Sequence, residues 1–127
     1  MNMGDSVKAK LDFELALQLD TTSSLHAFAL LYLGEIQLAI DFMKAIVSEN
    51  INDAGEHYDL ACIYSLTNKK DEAIAALQQA IKLGYKAYNH IKLDRDLENI
   101  RNEQGYKDLL NDITKEKVSE MFELLSK

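Results

Sequence analysis

The sequence predicts an all-α protein in which antiparallel helical hairpins stack into a solenoid that ends in a C-terminal capping helix. The first observation is a repeat, because 34 residues separate Ala39 from Ala73, and each alanine follows a glycine or asparagine by five positions. A less regular copy surrounds Ala9. A fixed period in this range is typical of stacked helical hairpins. The second observation is the lack of any proline in 127 residues, which favours helix because proline interrupts helices.

Composition limits the classes of function. The apolar fraction of 47% is ample for a folded core, so the chain is not a disordered acidic tail. The net charge of −7 disfavours nucleic acid, and we expect no such partner. No long apolar run is present, so we expect no membrane insertion. A single cysteine and a start unlike a signal peptide favour a cytoplasmic location.

Residues 4–20 read as half of a repeat. Asp5–Leu19 has the spacing of a second hairpin helix, and the first helix of that hairpin is not in the chain. A solenoid normally ends in a polar cap. We therefore expect either that the chain is a fragment of a longer protein or that another chain covers this face.

Residues 21–50 read as a shortened repeat. Its first helix is predicted over Ser24–Leu33, with Ser23 or Ser24 as the N-cap. The second helix, over 35–47, is apolar on most sides, and a thin solenoid cannot bury all of that surface. Phe42 is the residue expected to contact a neighbouring chain or the missing helix.

Residues 54–87 read as a full repeat. Asp53 is expected to cap the first helix, with Glu56 as its capping-box partner. Asn68 suits the left-handed turn between the helices. The second helix has acidic residues in its first turn and closes at Gly84.

The small and bulky positions of residues 54–87 resemble the tetratricopeptide repeat. Ala61 is the small residue in the middle of the first helix, and Tyr64 follows three places on. Ala73 and Ala80 are the small residues of the second helix, with Leu77 between them. Helices approach closely only where side chains are small, and bulky neighbours then fill the space beside them. The resemblance implies a superhelix in which the first helix of each hairpin lines a concave side.

Residues 88–127 are predicted to form a helical cap. The acidic, leucine and arginine residues of 93–101, followed by Tyr106–Leu110, are similar to the element that follows the last repeat in many bacterial proteins of this family. A last helix is expected over 103–126, either unbroken or with Thr114 capping a separate final helix. Met121 and Phe122 are possible interface residues on it.

The resemblance implies a protein–protein interaction module that binds a protein or peptide on the concave groove. The side chains that the family register directs to that groove are Phe28, Leu31, Tyr32, Tyr58, Cys62 and Ser65. The C-terminal helix of the chain itself could instead occupy the groove. Two other functions remain open: self-association into a homo-oligomer, and a regulatory or docking role within a larger enzyme or sensor. The carboxylate clamp of chaperone-binding members is excluded, because its paired cationic positions hold no cationic side chain here.

Nothing in the sequence points to catalysis or to a cofactor. There is no Gly-x-Ser-x-Gly, no phosphate-binding glycine loop and no His-Glu-x-x-His. His57 and Cys62 are five apart, which turns them about 140° from one another on a helix. His90 and Asp94 could share a face, but no further ligand has suitable spacing. We therefore predict neither an enzyme nor a metal site.

Overall fold

The computed structural model describes residues 24–126, and the expected half repeat at 4–20 lies outside them. The elements are α1 (Ser24–Tyr32), α2 (Ile36–Glu49), α3 (Ala54–Leu66), α4 (Lys70–Lys82), α5 (Tyr88–Leu93), a 3₁₀ helix (Arg95–Ile100) and α6 (Gln104–Leu125). No strand occurs within this range. The all-α prediction is therefore confirmed, with two consecutive hairpins, α1–α2 and α3–α4, followed by the C-terminal elements.

The same tight turn ends three of the helices. Gly34, Asn68 and Gly84 follow α1, α3 and α4, and have φ values of 85°, 61° and 109°. In each case the next N–H donates to the carbonyl five residues back, at 2.9–3.0 Å. This is the closing bond of a left-handed helix terminus, which glycine adopts readily and asparagine tolerates. The repeated glycine or asparagine in the sequence is thus the repeated turn in the structure.

Alanines occupy fully buried positions in the two hairpins. Ala27, Ala39, Ala61, Ala73 and Ala80 are all 0% exposed. A methyl side chain is short enough to let two helix backbones approach, and larger neighbours complete the packing. The fully buried bulky residues of the hairpins are Met43, Ile63 and Leu77. The expectation that the alanines of the repeat pack against neighbouring helices is therefore correct.

Only half of the predicted capping box forms at the start of α3. The Asp53 carboxylate accepts the Glu56 N–H at 3.0 Å, as expected of an N-cap. The reciprocal bond does not form, because the Asp53 N–H donates to the Asn50 carbonyl instead. The Glu56 carboxylate is partly buried, and burial together with Asp59 and Asp53 raises its pKa.

The C-terminal elements close the stack. Ile91 from α5 and Leu97 and Ile100 from the 3₁₀ helix are all 0% exposed. Helix α6 runs unbroken through Thr114, whose hydroxyl donates to the Leu110 carbonyl at 3.0 Å. The alternative of a separate final helix capped by Thr114 is therefore wrong. Among residues 24–126, no helix combines the length and the apolar character needed to cross a bilayer.

Candidate functional site: the concave face of α1 and α3

Three of the predicted groove residues are buried. Tyr58 is 5% exposed, Cys62 is 2% exposed and Ser65 is 0% exposed. They lie at i, i+4 and i+7 on α3, which places them on one face of that helix. The 3₁₀ helix packs against α3 and, with the residues before it, covers this face. In this structure these three side chains pack within the chain and leave no open surface to a partner.

The expected rival occupant of the groove was the C-terminal helix, but the covering segment is a different one. The 3₁₀ helix contacts α3, and Tyr85 and His90 before it contact Tyr58. Residues 85–101 therefore lie over α3, whereas α6 contacts α4 instead. The Tyr85 ring stacks on the Tyr58 ring, with centroids 4.3 Å apart and an angle of 5° between planes. At the other end, the Asn99 amide donates to the Ser65 carbonyl at 2.9 Å. The segment is thus fixed to α3 at both ends.

Asp94 joins the two sides of this contact. One carboxylate oxygen accepts the Tyr58 hydroxyl at 2.6 Å and lies 3.9 Å from the Cys62 sulfur. The other accepts the Asp96 N–H at 3.0 Å, which caps the 3₁₀ helix. His90 Nε2 lies 3.2 Å from the first oxygen, so the predicted pair on one face does form. A single carboxylate therefore both caps the 3₁₀ helix and fastens the covering segment to α3.

The surroundings of Asp94 favour the neutral forms of Tyr58 and Cys62. Burial, followed by the hydrogen bond to Asp94, raises the pKa of Tyr58. Burial and the charges of Asp94 and Asp96 raise the pKa of Cys62. Burial also raises the pKa of Asp96, with Asp94 adding to the effect. A neutral phenol and a neutral thiol can both donate, which suits the acceptor role of Asp94.

Within residues 24–126, the fold brings together one group of potential metal ligands that sequence spacing did not reveal. Ligand atoms of Cys62, Asp94 and Asp96 all lie within 4.8 Å of one another. Metal binding by Cys62 requires the thiolate, and its raised pKa opposes that form. The oxygens of Asp94 already accept hydrogen bonds from Tyr58 and from the Asp96 backbone. In this structure the Asp94 carboxylate of this group caps the 3₁₀ helix and fastens it to α3.

The α1 side of the concave face is more open. Successive helices are antiparallel, so α1 and α3 run parallel, and they contact each other. Phe28 and Leu31 are half-buried, and Tyr32 is 73% exposed. Leu66, at the same end of α3, is 40% exposed. Of the six predicted groove residues, these α1 residues are the ones within reach of a partner.

The predicted interface residues fall into two classes. Phe42 is half-buried, and its ring stacks on His26 with centroids 4.4 Å apart. Met121 and Phe122 are 62% and 67% exposed, on the part of α6 that extends past its last buried residue, Ile113. Phe42 is thus engaged within its own hairpin, whereas the α6 pair faces solvent.

The comparisons with known proteins agree with this architecture. Residues 57–83, which span most of α3 and α4, match the model of the tetratricopeptide repeat. A curated relative, a protein of Arabidopsis thaliana whose name describes it as chloroplastic, is 33% identical over 63 residues. That alignment covers 50% of this chain but only 19% of the relative's length. No solved structure gives a significant match.

Because the relative is described as chloroplastic, the cytoplasmic location expected for this chain stays a prediction. The tetratricopeptide fold is generally a non-catalytic one that serves protein interaction, so the match supports an interaction role. The resemblance to the tetratricopeptide repeat family is thereby confirmed for the central hairpin, α3–α4, within an all-α stack of the same kind.

Proposed function

We propose that this chain is a protein–protein interaction module that holds a peptide or a short helix on the α1 side of its concave face. The observation that carries the proposal is the unequal exposure of the predicted groove. Tyr58, Cys62 and Ser65 are covered by residues 85–101, whereas Leu31 is half-buried and Tyr32 is exposed. A partner would meet the α1 residues and Leu66 rather than the middle of α3.

The chemistry of that surface favours an apolar partner segment. Phe28, Leu31 and Leu66 offer apolar contact, and Tyr32 offers a ring with a polar end. A few aromatic anchors commonly carry most of the energy of such contacts. Because the open part of the groove is short, the interface falls below the standard size of about 800 Å² per partner. We therefore expect weak binding, with Kd on the order of micromolar.

The test uses peptides selected on the wild-type protein from a random 12-residue display library. Tyr32→Ala and Phe28→Ala are expected to weaken binding about tenfold or more, measured by fluorescence anisotropy. Leu93→Ala is the matched control, because Leu93 is an apolar residue that is 79% exposed and lies on α5. Unchanged affinity in both α1 variants, or an equal loss in the control, would contradict the proposal.

Self-association is the second candidate function, and the exposed end of α6 favours it. Val118, Met121, Phe122 and Leu125 lie at i, i+3, i+4 and i+7, and are 47–80% exposed. An amphipathic helix gains stability by covering such a stripe. Sedimentation velocity at several concentrations is expected to show a dimer that Phe122→Glu abolishes. A wild-type protein that stays monomeric at the highest concentration would remove this candidate.

A further inference from the structure

Helices α4 and α6 meet closely at one end and enclose a groove further along. A Cβ on Gly105 would lie 3.3 Å from the Ile74 side chain, so the missing side chain of the glycine permits this approach. Lys70 and Glu103 form an ion pair at 3.2 Å beside it. Beyond this point the two helices make little further contact.

Two open cavities lie side by side along the contact of α4 and α6. They measure about 260 Å³ and 220 Å³, and both are bordered by Gln78, Leu109 and Asp112. Ile74 lies at one end of this α4–α6 groove, and Ile81 and Ile113 lie at the other. Each cavity is smaller than the roughly 300–1,000 Å³ of a typical small-molecule site. They suit the side chains of a peptide better than a compact ligand.

Acidic residues form one wall of the α4–α6 groove. Asp108, Asp112 and Glu116 are exposed and follow one another at intervals of four residues on α6. Four helical residues advance about 6 Å, so the three carboxylates form a row nearly parallel to the groove. Lys82 is the cation at the groove's edge, where α4 ends. The groove therefore combines an apolar floor with a negatively charged wall.

We propose that the α4–α6 groove is a second docking site, and that its occupant is an amphipathic helix with lysine or arginine residues one turn apart. Charge complementarity selects basic side chains opposite the acidic wall. A helix can direct apolar side chains to the floor and basic ones to the adjacent wall, because residues at i and i+4 share a face. An extended strand sends alternate side chains to opposite faces and so presents a single row of side chains to the groove. It therefore cannot place one row on the apolar floor and a second row against the acidic wall.

This second site is independent of the concave surface. The α4–α6 groove is lined by residues of α4 and α6, whereas the proposed partner surface of α1 consists of Phe28, Leu31 and Tyr32 with Leu66. A protein with two such sites could hold two partner segments at once, or two parts of one partner. The proposal thus goes beyond the single concave groove of the proposed function.

The test uses two synthetic 15-residue amphipathic helices with the same leucine face. One carries lysine at every fourth position beside that face, and the other carries glutamate there. By fluorescence anisotropy, the lysine peptide is expected to bind at least tenfold more tightly at low salt, and to lose affinity as salt rises. Methyl NMR signals of Ile74, Ile81 and Ile113 are expected to shift on its addition.

Matched variants separate a specific site from general attraction to an acidic protein. Asp112→Lys with Glu116→Lys is expected to weaken the lysine peptide tenfold or more, and Asp112→Asn with Glu116→Gln about threefold. Asp41→Lys with Glu49→Lys changes the net charge equally on the exposed side of α2, and is expected to change affinity less than twofold.

The proposal would be overturned by no binding at millimolar peptide, by equal binding of the two peptides, or by an equal effect of the α2 pair. Phe28→Ala and Tyr32→Ala should leave lysine-peptide binding unchanged. If those two variants abolish it while the α6 variants do not, the peptide lies on the concave face and the second site does not exist. That result would leave the proposed function in place.

Discussion

Asp94 and Asp96 stand two residues apart, yet their replacement by alanine is expected to have very different effects on stability. Asp94→Ala removes the acceptor of the buried Tyr58 hydroxyl, 2.6 Å away, and the cap of the 3₁₀ helix. A buried donor left without its charged partner costs about 1.5–3 kcal/mol, and a lost cap costs about 1 kcal/mol. Together these losses lower the free energy of unfolding by about 3 kcal/mol.

Asp96→Ala is the matched control. Burial raises the pKa of Asp96, so folding disfavours its charged form. The Asp96 backbone N–H, which donates a hydrogen bond to the Asp94 carboxylate, is still present after the substitution. We therefore expect a change within about 0.5 kcal/mol, or a slight gain in stability.

Urea denaturation followed by circular dichroism measures both variants, with the midpoint compared at equal m-value. A loss of about 3 kcal/mol corresponds to a fall in Tm of roughly 10 °C for a chain of this size. If Asp94→Ala costs less than about 1 kcal/mol, or no more than Asp96→Ala, the role assigned to Asp94 is wrong.

Three further predictions concern packing, turns and pH. Ala61→Leu, at a residue that is 0% exposed, is expected to lower the free energy of unfolding by about 1–3 kcal/mol, because the added atoms must separate α3 from its neighbours. Urea denaturation measures this loss, and an unchanged midpoint would contradict the close packing. At Gly84 φ is 109°, and an added Cβ would meet no atom within 4 Å. Gly84→Ala is therefore expected to lower the free energy of unfolding by about 1 kcal/mol through backbone strain alone, and an unchanged stability would argue against that turn. Burial raises the pKa values of Asp59 and Asp96, so each binds its proton more readily in the folded state than in the unfolded state. Their contribution to stability therefore increases as pH falls from neutrality towards the ordinary carboxyl pKa of 3.8, and Asp59→Asn should flatten this dependence in denaturation measured at several pH values.

Local patterns were sufficient to predict the hairpins. The alanines at 39, 61 and 73 and the turn residue Asn68 act through the backbone of their own or an adjacent helix, so their spacing along the chain carries the information. Asp53 was predicted as a cap for the same reason, since its partner is only three residues away.

The covering of α3 could not be predicted in that way. Tyr58 and Asp94 are 36 residues apart, and no periodic pattern connects them. The family register places Tyr58, Cys62 and Ser65 on the concave side, but it says nothing of what a particular chain lays over that side. The acidic, leucine and arginine turn at 94–101 is recognisable in the sequence as an end element. The signal that was missed is that its first residue, Asp94, caps a helix and can also accept a bond from α3.

The most direct test of the closed concave face uses the reactivity of Cys62, the single cysteine of the chain. Its side chain is 2% exposed, lies beside Asp94 and has a raised pKa, all of which slow thiol modification. In native buffer, we predict that a thiol reagent such as 5,5′-dithiobis(2-nitrobenzoic acid) modifies the protein at least about 1,000-fold more slowly than in urea, because reaction must await an opening that costs about 4 kcal/mol or more. Rapid, stoichiometric modification of the folded wild-type protein would show that residues 85–101 do not cover α3, and would contradict the account.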